Sequence, residues 1–144
     1  MLFGKKQRRI VRLLIVEDEP LVAFDNEHFL QEESFEIVGT VDRASHAKAL
    51  IAGEDAIDLV LVDISLAEGN GIDVARAAHE RGIAVMFVTG ECPAGGETVA
   101  HGCLAKPYAQ RTLLAAINAI EAALDGNPPK RLPAGFRLFS REVG

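Results

Sequence analysis

Leu59-Val60-Leu61-Val62-Asp63 is the stretch on which the reading of this chain turns. Four consecutive aliphatic residues run into one carboxylate, with Asp58 before them and the turn residues Glu68-Gly69-Asn70-Gly71 after. A continuous apolar run of strand length marks a strand covered on both faces, as in a parallel sheet. Such a strand delivers its last residue to the sheet's carboxyl edge, where open α/β folds build their sites. Leu13-Leu14-Ile15-Val16 repeats the pattern and ends in Glu17-Asp18-Glu19. Two strands therefore aim acids at one place.

Outward from these runs, strand and helix patterns alternate. Pro20 suits the first turn of a helix and Glu19 complements its positive end. That helix is expected to reach about Ser34, burying Val22, Phe29 and Leu30, with Leu21 and Phe24 widening the apolar side. Phe35 to Val41 alternates as an edge strand does, and Ala44 to Ala52 is a short helix with Ala44, Ala47, Leu50 and Ile51 inward. Ile72 to Arg81 forms an alanine-rich helix closed by Gly82, and Ile83 to Val88 is a further buried strand, ending at Thr89. Gly90, Pro93, Gly95 and Gly96 then leave room for no more than a turn or two near Glu97 to His101. Cys103 to Ala105 makes a last short strand before Lys106-Pro107-Tyr108. Ala109 to Leu124 is the clearest helix, with Leu113, Ile117, Ile120 and Leu124 on one stripe and Gly126 beyond its end. Five such alternations call for a parallel sheet with helices on both faces.

The 144 residues divide into a basic arm (1–11), a single domain (12–124) and a tail (125–144). The net charge of −6 is unevenly spread. Lys5, Lys6, Arg8, Arg9 and Arg12 open the chain, and Lys130, Arg131, Arg137 and Arg141 lie after the last helix. Only Arg43, Lys48, Arg76, Arg81, Lys106 and Arg111 fall between, so the body is acidic, which points away from nucleic acid and toward a cation. Cys92 and Cys103 make no disulfide framework and are expected as reduced thiols in a cytoplasmic protein without a signal peptide or membrane insertion. His28, His46, His79 and His101 lack ligand spacing and read as surface or helix-face residues. The arm is expected to fray. The Pro- and Gly-rich tail carries Phe136, Leu138 and Phe139, and packing on the body, binding a partner and disorder are all open to it.

Glu17, Asp18 and Asp63 at one edge repel. Two unit charges about 4 Å apart at an effective dielectric near 20 cost roughly 4 kcal/mol. A hard, octahedral cation that accepts carboxylate oxygens answers that need, and Mg²⁺ fits it, with the Ser65 carbonyl offering a further oxygen. Lys106 precedes Pro107, whose peptide bond tolerates the cis form, and is expected to turn its ammonium toward the same pocket. Thr89 contributes a hydroxyl. A carboxylate nucleophile, a cation, an ammonium and a hydroxyl suit attack of Asp63 on phosphorus.

Val16-Glu17-Asp18-Glu19, Leu61-Val62-Asp63, Val88-Thr89-Gly90 and Ala105-Lys106-Pro107-Tyr108 stand in order at successive strand ends, and over Arg12 to about Leu124 the chain resembles a response regulator receiver domain. The resemblance implies a flavodoxin-like, doubly wound, five-stranded parallel sheet of order 2-1-3-4-5. It implies that Asp63 accepts a phosphoryl group from a histidine kinase or histidine phosphotransfer protein. Glu17, Asp18, Asp63 and the Ser65 carbonyl would hold Mg²⁺, Thr89 and Lys106 would contact phosphoryl oxygens, and Ser65 would tune hydrolysis. The chain would then promote only its own phosphorylation and dephosphorylation, and would not be an enzyme acting on separate substrates.

Three features depart from that family's pattern. Cys103 stands where the family often has an aromatic switch residue, with Tyr108 as a substitute. The interval from Thr89 to Lys106 is short and poorly suited to a normal fourth helix. The tail is too short for a DNA-binding or enzymatic output module, so a stand-alone receiver is expected, signalling through the surface around Gly90 to Tyr108 or acting as a phosphate sink or shuttle. Among other classes, a haloacid dehalogenase-type phosphohydrolase wants a second Asp where Ser65 stands. A flavodoxin-like cofactor module wants a Gly-rich loop after the first strand, and a scaffold that never takes phosphate is the remaining reading.

Overall fold

The computed structural model describes residues 8–139. Its strands are β1 (Arg12–Val16), β2 (Glu36–Val41), β3 (Leu59–Val62), β4 (Ala84–Thr89), β5 (Gly102–Ala105) and β6 (Phe136–Leu138). Its helices are α1 (Pro20–Glu32), α2 (Ala44–Ala52), α3 (Gly71–Glu80) and α4 (Gln110–Leu124). The sheet order is β2-β1-β3-β4-β5-β6, with the first five strands parallel and β6 antiparallel to β5.

The continuous apolar runs follow from this layering. Leu13 and Ile15 of β1, Leu59 and Leu61 of β3, and Met86 and Val88 of β4 face a core completed by Leu30 of α1 and Leu113, Ile117 and Ile120 of α4. Leu14, Val16, Val60, Val62, Val85 and Phe87 face the opposite core, closed by Ala47 and Ile51 of α2 and Val74, Ala75 and Ala78 of α3. Successive residues of a strand point to opposite faces, so two buried faces demand apolar residues at every position. Edge strand β2 is covered on both sides as well: Ile37 packs on the first core, and Val38 and Val41 on the second.

Several expectations need correction. Helix α1 ends at Glu32, and Leu21 and Phe24 face outward, 78% and 58% exposed, while Ala23, Asn26 and Leu30 are buried. Small Ala23 brings α1 close to the sheet, and Asn26 is admitted because its side chain donates to the Tyr108 hydroxyl at 2.8 Å. Residues 8–11 do not fray. Glu121 of α4 accepts the backbone N–H groups of Arg9 and Ile10 at 2.7 and 2.8 Å, Arg8 pairs with Glu121, and Ile10 is buried. The remaining arm, with Lys5 and Lys6, lies outside the described residues. Cys92 and Cys103 are not free thiols: the segment after β4 folds back over β5 and a disulfide joins them. No helix among the described residues is long and apolar enough to cross a membrane.

The sheet has a sixth strand because the tail returns. Phe136 is buried against the α4 core, Gly135 accepts the Ala105 N–H at 2.9 Å, and the Phe139 N–H donates to the His101 carbonyl at 2.9 Å. Gly102 permits this approach, since a Cβ there would stand 2.8 Å from the Phe136 ring. Phe136→Ala is expected to destabilise the fold by about 3 kcal/mol in chemical denaturation, as emptying a buried aromatic site does. A loss below about 0.5 kcal/mol, the range of ordinary surface substitutions, would mean the strand adds nothing.

Candidate functional site: an acidic pocket around one lysine

The carboxyl edge of the sheet gathers the acids through ordinary ladder bonds. The Glu17 N–H donates to the Val41 carbonyl at 2.9 Å, extending the β1–β2 ladder, and the Asp63 N–H donates to the Val16 carbonyl at 3.0 Å. Lys106 enters from the next strand pair, its N–H donating to the Thr89 carbonyl at 2.8 Å, and the Lys106–Pro107 peptide is cis. Glu17, Asp63 and Thr89 are buried and Asp18 is half-buried.

One ammonium meets three carboxylates. Lys106 Nζ donates to Asp63 Oδ2 at 2.8 Å, to Glu17 Oε2 at 3.0 Å and to Glu19 Oε2 at 2.5 Å. Burial pulls the Lys106 pKa down, but its bonds to Asp63, Glu19 and Glu17 outweigh that and leave it above the ordinary lysine value. Burial pushes the Glu17 carboxyl up, opposed by the Glu19 N–H and by Lys106. Glu17, Asp18 and Asp63 each offer an oxygen within 4.8 Å of the others. With Asp18 beside the three that Lys106 contacts, four carboxylates face a single lysine charge, and the site keeps an excess of negative charge.

The sequence-predicted residues thus converge, with differences in detail. Thr89 ends β4 at this edge, where its carbonyl positions Lys106. The Ser65 N–H donates to Asp63 Oδ1 over a long 3.4 Å, and Ser65 forms an isolated bridge with Asn70. Tyr108 is turned to Asn26, and burial raises its phenol pKa. Cys103 is buried in the disulfide. His28, His46 and His79 are exposed, and His101 is half-buried at the start of β5 with the Val85 N–H near its Nδ1 at 3.3 Å.

Sequence reasoning missed two participants. The sequence places Glu19 in the acidic run and at the positive end of α1 but gives it no part in the pocket, and the structure makes it the third carboxylate on Lys106. Gly71 counts in the sequence as a turn residue, and in the structure its N–H donates to the Ile64 carbonyl at 2.8 Å and its Cα faces the Asp63 carbonyl. Asn70 caps α3 beside it, Oδ1 accepting from Ile72 and Asp73 at 2.9 and 3.1 Å. Two glycines flanking a capping Asn were the available signal.

The raised Glu17 pKa has a stability consequence with a definite sign. The folded chain holds this proton more tightly than the unfolded chain. Stability therefore falls as pH rises from the model-peptide value of 4.5 through the raised value, then levels. In chelator at neutral pH, Glu17→Gln is expected to raise the melting temperature by a few degrees, about 3 °C per kcal/mol for a domain of this size. The gain should vanish as pH approaches 4.5, and a gain unchanged by pH would refute the burial cost.

Comparison with known proteins agrees with this geometry. Over 77 residues the chain is 38% identical to the transcriptional regulatory protein PdtaR of Mycobacterium tuberculosis, covering 54% of this chain and 37% of that protein. Over 115 residues it is 30% identical to the transcriptional regulatory protein CpxR of Escherichia coli, covering 76% and 48%. The chain spans about half or less of these curated relatives. Among solved structures, a CheY-like response regulator receiver domain protein from Methanospirillum hungatei JF-1 superposes with a TM-score of 0.72 at 25% identity, covering 81% of this chain and 98% of that one. The receiver domain of HemR from Leptospira biflexa shares the fold, with a TM-score of 0.69 at 24% identity and coverage of 78% and 94%. The sequence profile of the response regulator receiver domain matches residues 13–118. With that match spanning most of the chain, and the sheet order and acid cluster in place, the chain belongs to the response regulator receiver domain family of two-component signalling.

Proposed function

We propose that this receiver accepts a phosphoryl group on Asp63 from the phosphohistidine of a histidine kinase or histidine phosphotransfer protein. The observation that carries the reading is Asp63 itself, buried at the strand edge with one oxygen on Lys106 and the rest of the acid cluster around it. In the transfer an Asp63 oxygen attacks phosphorus, the P–N bond breaks and the imidazole leaves; water later attacks phosphorus and returns the carboxylate. Lys106 orients Asp63 beforehand and its ammonium stabilises phosphoryl oxygen charge afterwards, with the Thr89 hydroxyl as a second donor.

The donor set fits Mg²⁺. Glu17, Asp18 and Asp63 are hard oxygen ligands close to one another, and their charge exceeds what Lys106 neutralises. Those three and the Ser65 carbonyl would hold the ion, which when bound supplies positive charge to offset that of the incoming phosphoryl oxygens. The chain acts as a signalling protein, not an enzyme on separate substrates. It works as a cytoplasmic receiver, either presenting the surface around Gly90 to Tyr108 to a downstream protein or passing phosphate on as a sink or shuttle.

Incubation with Mg²⁺ and acetyl phosphate, followed by intact mass and peptide mapping, tests this. One hydroxylamine-labile phosphoryl group on the peptide holding Asp63 is the expected result. Many turnovers of donor would favour an aspartyl-phosphate hydrolase, and no adduct at all would favour an unphosphorylated scaffold. Either outcome ends the receiver reading of Asp63.

A further inference from the structure

Cys92 lies three residues after Thr89 and Cys103 three before Lys106, so a bond between them closes off the segment that links two parts of the acidic pocket. The two ends differ in setting and access. Cys103 is fully buried in β5, paired with Phe87 of β4 on one side and Arg137 of β6 on the other. Cys92 is half-buried in an irregular stretch between the end of β4 and a single 3₁₀ turn, Gly96–Thr98. Backbone hydrogen bonds of residues 96–100 run to Pro93, Gly95 and Gly96 within the same segment, and Gly95 has a left-handed φ of 79°. Val99 and Ala100 anchor the far half in the core, whereas residues 90–95 gain their tie to the sheet from Cys92. That near half begins directly at Thr89.

We infer that Cys92 and Cys103 form a reversible thiol–disulfide clip that sets the freedom of residues 90–95 and, through Thr89, the readiness of Asp63 to take a phosphoryl group; the second clause rests on the phosphoacceptor reading above. The oxidant is a low-molecular-weight disulfide of the glutathione class. The Cys92 thiolate, the accessible one, attacks that disulfide, forms a mixed disulfide and releases one small thiol. The Cys103 sulfur then attacks Cys92, forms the internal S–S bond and releases the second. Two electrons pass to the external disulfide, and the two cysteine protons end on the two released thiols. Excess dithiol reverses both steps. The closed clip holds the segment in one arrangement, and the open clip lets it follow Thr89 when phosphoryl oxygens arrive.

The test uses the full chain equilibrated with oxidised glutathione or with dithiothreitol. Alkylation under denaturing conditions should add no label to the oxidised protein and two to the reduced. Amide exchange over residues 90–95 should be at least about tenfold faster in the reduced form, with β1 and β3 unchanged, as expected of local opening. Labelling by acetyl phosphate with Mg²⁺ should be about fivefold faster when reduced. Cys92→Ser should match the reduced protein in both readouts whatever the oxidant. Equal exchange in the two wild-type forms, or thiols that stay alkylatable in oxidised glutathione, overturns the clip. Different exchange with equal labelling overturns its coupling to the pocket. Absence of labelling in both forms counts against the phosphoacceptor reading, and the exchange comparison still decides the clip.

Discussion

Lys106→Met is expected to lower the rate of phosphoryl uptake from acetyl phosphate by about a hundredfold or more, the usual loss when one preorganised charge donor is removed. The methionine keeps much of the stem's packing and removes the ammonium that reaches Asp63, Glu17 and Glu19. Breaking a buried pair leaves its partners uncompensated, typically at about 3–5 kcal/mol. Glu17 and Asp63 are nearly enclosed, but Glu19 is exposed and the lysine side chain keeps 15% of its surface, so the lower end, about 3 kcal/mol, applies in chelator. Added Mg²⁺ should recover part of that stability, because the same oxygens then face a cation. Asp63→Ala should abolish uptake altogether. Uptake by Lys106→Met within about threefold of wild type would show that the ammonium does not stabilise the reacting phosphoryl group.

Gly71→Ala is expected to damage fold and site together. A Cβ at this position would lie 2.0 Å from the Asp63 carbonyl oxygen, 2.8 Å from its carbon and 3.0 Å from the Ile64 Cα. These are backbone atoms, so no side chain can swing aside. Either α3 moves off, losing the Gly71 to Ile64 hydrogen bond, or the strand end holding Asp63 shifts. Overpacking of this kind costs about 2–3 kcal/mol. Displacing a reacting group by an ångström costs about a hundredfold in rate, so the uptake rate should fall by one to two orders of magnitude while the protein remains folded. Gly53→Ala is the control: its Cβ would meet only ordinary contacts at 3.4 and 3.5 Å, and stability should change by no more than about 0.5 kcal/mol. Equal stability and uptake in the two variants would dismiss the steric role of Gly71.

Much of the molecule was legible because its signals are local. The apolar runs at 13–16, 59–62 and 84–88 specify strands covered on both faces, and the acids after the first two mark one edge of the sheet. The stripe through Leu113, Ile117 and Ile120 specifies α4 as a core helix. Helix α1 was harder, because Leu21 and Phe24 match a helical stripe as well as Leu30 does. Periodicity reports that a face is apolar, not how closely small Ala23 lets the helix approach, nor that Asn26 finds a buried hydroxyl.

By itself, the sequence determined the order of strands and helices, the acids at the ends of β1 and β3, and the lysine after β5, since all depend on neighbours within a few residues. Only the tertiary structure decided that Lys106 is shared with Glu19, that Gly71 must lack a side chain beside Asp63, that Cys92 reaches Cys103, and that the tail adds β6. Each of these is a contact between segments that approach one another only after the sheet and its connections have taken their places, and no local pattern of polarity encodes such an approach.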